Sequence, residues 1–268
     1  LPRFGSVELE VLAETRITGG KKKFKNATLV VGLPGIGLVS KLAVDHAAKL
    51  LKAKRIATAY SPHFPNQTLA TKKGKLKAFT FKFNHAKINN KNVIFLRGDL
   101  QPLTVEGQYE LSFAVLELAK RMGVKRVFSM AGYAGEKAKK TPLVYCAASD
   151  PKTFRDFAKV GAKHCPIKVI PIVGMAGLLP ALAPTVGLTG ACLLVQTTGE
   201  QLDAKGAKRL LSLMGDYFNG KLNAKGIDAR VKLIQKSIAK AMPKQQTHMQ
   251  AIPAIQTDQP KADLTYIR

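Results

Sequence analysis

Apolar runs of strand length alternate with stretches of helical spacing along most of this chain, and that succession narrows the fold more than any other feature. Ala27 to Leu33 is a β-rich apolar run followed by glycines, after which Leu38, Leu42, Ala43, Ala47, Leu50 and Leu51 recur at helical spacing. Arg55 to Tyr60 and Asn92 to Leu96 read as further strands, and Leu76 to Phe83 alternates like a half-exposed hairpin strand. Val105 to Met122 predicts a helix with apolar residues on more than one face, Tyr109, Phe113 and Leu116 against Leu111, Val115 and Leu118, so cover on both sides is expected. Val124 to Ala131 and Pro142 to Ala147 are strands again. Asp150-Pro151 reads as the N-cap and first residue of a short helix through Ala158, and Asp203 caps another through Tyr217. Ile227, Val231, Ile234 and Ile238 line one face of a last helix. The succession implies an α/β fold: a single domain, 1–242, with one largely parallel sheet covered by helices on both faces. With 268 residues and 46% hydrophobic content the chain can bury such a core.

Val169 to Gly199 carries no charged side chain, long enough to suggest a membrane span. Pro171, Pro180 and Pro184, with Gly174, Gly177, Gly187 and Gly190, would break a helical hydrogen-bond ladder in lipid, so the expectation is no membrane association. The segment reads instead as a strand (Ile167 to Ile172), a glycine-rich loop with a short helix, and a strand (Ala191 to Gln196). Cys146, Cys165 and Cys192 show no metal-ligand spacing and read as small core residues of a protein in a reducing compartment. Leu1-Pro2-Arg3-Phe4-Gly5 lacks the basic segment and apolar run of a signal peptide, and a cytoplasmic location is expected.

The first loop, Gly32-Leu33-Pro34-Gly35-Ile36-Gly37, lies between a strand and a helix, where main-chain N–H groups could hold a phosphate. Its G-x-x-G-x-G spacing is not a dinucleotide fingerprint, Pro34 removes one donor, and no P-loop Lys-Ser/Thr pair follows. A tight turn that packs a helix close to the sheet explains it as well. His63 would lie near Asp99, Glu106 and Tyr109 if these motifs converge at the strand ends, where α/β folds place sites. A His beside a carboxylate can do acid–base work, yet no nucleophile elbow, metal cluster or cofactor fingerprint accompanies it. Asp99, Gln101 and Glu106 read as a polar group that caps the second helix and fixes its loops, or as an interface or small-ligand site. No catalytic residue, metal or cofactor is assigned.

A resemblance rests on longer stretches. Leu29 through Ala70, Arg97-Gly98-Asp99-Leu100-Gln101-Pro102, Glu106-Gly107-Gln108-Tyr109-Glu110, Ala131-Gly132-Tyr133, Ile172-Val173-Gly174, Gly177-Leu178-Leu179 and Thr197-Thr198-Gly199 follow one another as in the archaeal proteasome assembly chaperone family, which this chain resembles. The resemblance implies a phosphorylase-like α/β fold without catalysis, homo-oligomers, and C-terminal tails that dock between α-subunits of the proteasome core particle. After Pro243 the chain has no periodicity, and 243–268 reads as a flexible docking tail. Its roughly 26 residues reach about 80 Å when fully extended. Leu264, Tyr266, Ile267 and Arg268, an aromatic and aliphatic group beside a carboxylate, are expected to carry the contact. Tyr266 stands third from the end, whereas the activators' hydrophobic-Tyr-X signature places Tyr next to last.

Charge supplies the alternative. Lys and Arg number 43 against 17 Asp and Glu, a formal +26, so an acidic partner is expected. Lys21, Lys22, Lys23 and Lys25, with Lys72, Lys73 and Lys75, would contact RNA phosphates wherever they share a face, as in a ribosome-associated factor.

Overall fold

The computed structural model describes residues 15–134, 141–199 and 202–241, with side chains to 237. Its strands are β1 (Arg16–Gly19), β2 (Ala27–Gly32), β3 (Lys54–Tyr60), β4 (Thr68–Ala70), β5 (Leu76–Ala78), β6 (Phe81–Ile88), β7 (Lys91–Arg97), β8 (Val124–Ala134), β9 (Val144–Ala148) and β10 (Thr189–Thr197). Its helices are α1 (Val39–Leu50), α2 (Val105–Arg121), α3 (Pro151–Ala158), α4 (Met175–Leu182), α5 (Ala204–Phe218) and α6 (Ile227–Ala241).

Eight strands form one sheet in the order β1-β3-β6-β7-β2-β8-β10-β9, and β4 and β5 form a separate hairpin. The centre, β7-β2-β8-β10, is parallel. Antiparallel β6 separates it from β3, which runs in the central direction, and antiparallel β1 and β9 form the edges.

Alternation along the buried strands sends neighbours to opposite faces. Val30 and Phe95 join one core with Leu42 and Ala47 of α1, Phe157 of α3, Leu210 of α5 and Ile227 of α6. Leu29, Val31, Ile94 and Leu96 join the other with Leu111, Val115 and Leu116 of α2 and Met175 and Leu179 of α4. Helices thus cover both faces, and each fully buried Leu or Phe contributes about 1.5–3 kcal/mol through area removed from water.

Three local expectations are corrected. Leu76 to Phe83 is two strands: exposed β5 pairs with β4, whereas Phe81 and Phe83 lie in β6 and are fully buried between β3 and β7. Ile167 to Ile172 forms no strand, because β9 already occupies the place beside β10 and only Lys163 bridges to β9's outer side. Cover over α2 is one-sided: Tyr109 and Phe113 remain 44% and 40% exposed. Asp150 and Asp203 cap α3 and α5 as their sequence positions imply, accepting from the backbone N–H of Thr153 and Gly206, each at 2.8 Å. Among the described residues no helix is long and apolar enough to cross a membrane.

Candidate functional site

Loops at the carboxyl ends of the parallel strands bring the first glycine loop, Gly132-Tyr133 and the segment before α4 around one cavity of about 340 Å³. Gln101 fixes this arrangement. Its Nε2 donates to the Pro34 carbonyl at 2.7 Å and its Oε1 accepts from the Met175 N–H at 2.9 Å, joining one loop to the N-terminus of α4. The helix it caps is therefore α4. At α2 the cap is Thr104, whose Oγ1 accepts from the Gly107 N–H at 3.0 Å, so Asp99, Gln101 and Glu106 do not form the expected α2 cap.

Sterics account for much of the first loop. A Cβ on Gly32 would lie 2.3 Å from Val44 Cβ, so glycine lets α1 close onto β2. Gly37 holds φ +64° while its carbonyl accepts from the Asp203 N–H at 2.8 Å. A Cβ on Gly35 would meet nothing within 4 Å. Leu33, Ile36, Met130, Tyr133, Ile172 and Val173 wall the cavity, and the nearby Lys41 ammonium turns to the Gly98 carbonyl and Asp99, each at 2.9 Å. Those walls suit an apolar group better than a phosphate.

His63, Asp99 and Glu106 do not assemble an acid–base set. His63 lies 3.8 Å from Glu110 and 3.4 Å from the Thr104 hydroxyl, seated where any Cβ on Gly107 would clash with it. Glu110 in turn accepts from the Thr15 N–H and hydroxyl, at 3.1 and 2.8 Å. Glu106 is exposed. Burial opposes the charge on Asp99, but the Lys41 hydrogen bond and the charges of Lys41, Lys82 and Arg97 outweigh it and hold the carboxyl below its ordinary value. Among the described residues no group of His, Cys, Asp and Glu is placed to hold a metal. Burial pushes the Cys146 and Cys192 thiols up to about 12, so both are unreactive core residues.

The PAC2 family model matches residues 29–242, which takes in every loop around this cavity. The chain belongs to the PAC2 family. Among solved structures it is similar to Pyrococcus furiosus PbaB, an archaeal proteasome activator: 28% identity, 85% of this chain and 98% of that one, TM-score 0.77. Pyrococcus furiosus PbaA, an archaeal homolog of proteasome-assembly chaperone, shares the fold at 22% identity, covering 84% and 95%, TM-score 0.71. The Methanocaldococcus jannaschii protein MJ1210 is 29% identical over 229 residues, 84% of this chain and 87% of its own.

Sequence reasoning missed the charge centre that holds the last helix of this PAC2 protein to its body. Asp45, with only 5% of its side chain exposed, accepts from Arg97 at 2.5 Å and Arg230 at 2.8 Å and lies 3.3 Å from Lys41. An acid on the same stripe as Leu38 and Leu42 was the available signal. Arg230 belongs to α6, whose Ile227 and Val231 are buried, so the helix is fixed at its start. The tail residues Leu264, Tyr266, Ile267 and Arg268 lie outside the described residues.

The two sets of candidate RNA-contacting lysines do not share a face. Lys21, Lys22, Lys23 and Lys25 precede β2, at the amino ends of the parallel strands. Lys72, Lys73 and Lys75 sit on the β4–β5 hairpin, which links the end of β3 to the start of β6 and so lies toward the carboxyl ends.

Proposed function

We propose that this protein is a non-enzymatic, homo-oligomeric adaptor of the cytoplasm that binds α-subunits of the proteasome core particle through its C-terminal tail. The PAC2 membership carries the reading, supported by the 28% identity to PbaB across nearly that protein's whole length. In this reading 1–242 is the folded body, α6 anchors its end, and 243–268 reaches the partner, with Leu264, Tyr266 and Ile267 entering an apolar slot and Arg268 pairing at its rim. The loops around Gly32, Gly35, Gly37 and Gln101 serve as an interface or small-ligand site, with His63, Asp99 and Glu106 outside the cavity lining. Removing Tyr266, Ile267 and Arg268 should abolish capture of purified core particle while light scattering shows the same oligomer. Undiminished capture rules out tail docking.

A second reading, association with ribosomal or other RNA through the phosphate backbone, is favoured by one observation: Lys21, Lys23, Lys120 and Arg121, at the amino ends of the strands, make no ion pair with a carboxylate among the described residues.

A further inference from the structure

Three connections bring positive charge to the amino end of the parallel sheet. Lys21, Lys22, Lys23 and Lys25 come from the β1–β2 connection, Lys91 opens β7, and Lys120 and Arg121 end α2. Lys21, Lys23, Lys120 and Arg121 line an open groove of about 610 Å³ with Gly19, Gly20, Leu118 and Gly123. No carboxylate lines it, and no ion pair among the described residues involves its four cations. All four are exposed. At the carboxyl end Lys41, Lys82, Arg97, Lys208 and Arg230 are matched to Asp45, Asp99 and Asp228, whereas Lys72, Lys73 and Lys75 of the β4–β5 hairpin are exposed and line no such groove.

We propose that this amino-end rim binds the phosphodiester backbone of RNA, with the Lys21, Lys23, Lys120 and Arg121 groove at its centre. The proposal deepens the second reading above and rests on it. Two observations favour RNA over an acidic polypeptide. Protein interfaces are anchored by exposed apolar and aromatic side chains, yet among the described residues Leu50, at the end of α1, is the one large exposed hydrophobic at the strand and helix ends that border this groove. Backbone charge alone also fits, because α1 and α2 end here and present carbonyls rather than N–H groups, so lysine and arginine must supply the attraction. No base is read: the nearest aromatic, Phe24, is buried, stacked on His85 at 4.0 Å and covered by Lys22.

The test titrates an RNA duplex of about 20 base pairs, and separately polyglutamate, against the full chain, the chain lacking its last three residues, and the variant Lys21→Gln, Lys23→Gln, Lys120→Gln, Arg121→Gln. Four phosphate contacts predict that affinity for RNA falls about 10²-fold between about 50 and 200 mM salt. The fourfold variant should lose at least about tenfold in affinity at the lower salt and about 0.9 of log–log slope per cation removed, with an unchanged melting temperature. The tail-deleted chain should bind RNA as the full chain does. If the full chain binds no RNA at low salt, the second reading fails altogether. If it binds and the fourfold variant binds equally, only the placement on this rim fails. Polyglutamate bound as tightly as RNA overturns the choice of phosphodiester.

Discussion

The Asp45 centre and the basic groove at the other end of the sheet treat charge in opposite ways. At the carboxyl end, cations are used internally: Asp45 gathers Arg97, Arg230 and Lys41, and Asp99 takes Lys41 and Lys82, locking α6, α1 and the loops together. At the amino end, Lys21, Lys23, Lys120 and Arg121 stand around a groove with nothing to neutralise them. Paired charge is part of the fold, and unpaired charge is available to another molecule.

Removing charge at the two ends should therefore have unequal consequences. Asp45→Asn leaves Arg97 and Arg230 at a buried position without their counter-charge and should cost about 3 kcal/mol, below the full penalty of a buried pair because both arginines are partly exposed. Urea unfolding would measure it, and hydrogen exchange should show α6 opening first. Gln101→Ala strands the Met175 N–H and the Pro34 carbonyl and should cost about 1–2 kcal/mol, with exchange quickening at the start of α4. Lys21→Gln with Lys23→Gln should change stability by less than about 0.5 kcal/mol in the same unfolding assay, since neither lysine holds a structural partner. A stability loss there like that of Asp45→Asn would erase the distinction between the ends.

Histidine and aspartate titrations sharpen the contrast further. Burial lowers the pKa of His85, the Asn92 hydrogen bond opposes that, and the positive charges of Lys22 and Lys87 lower it again. Neutralising Lys22 or adding RNA should raise the His85 value measured by NMR. Because the folded-state value is depressed, His85 contributes stability above its ordinary 6.5 that is lost as pH falls through the lowered value. Asp99 likewise contributes stability present above the ordinary carboxylate range and lost as pH falls through its lowered value, and Lys82→Gln should lessen that dependence.

The order of elements could be read from periodicity, because β2, β7, β8 and β10 are buried on both faces and their helices have clear apolar stripes. The caps at Asp150 and Asp203 were legible because the signal is local. Ile167 to Ile172 misled because its β-branched residues resemble a strand, and sequence does not record that β9 fills the edge. The ends of the sheet were harder still: that Lys21 and Lys120 share a groove while Lys72 lies elsewhere depends on strand direction, which no local pattern contains. Gln101 stood in a legible motif, yet its partner at Met175 is 74 residues away. Asp45 could have been suspected as a charge on an apolar stripe; its partner Arg230, 185 residues on, could not.

The adaptor reading is tested most directly by titrating purified proteasome core particle against the full chain, the tail-deleted chain and the fourfold rim variant side by side. The account predicts that removing Tyr266, Ile267 and Arg268 eliminates measurable binding, whereas the rim variant retains the full chain's affinity. Core-particle binding that survives loss of the tail but disappears with the rim cations would contradict it.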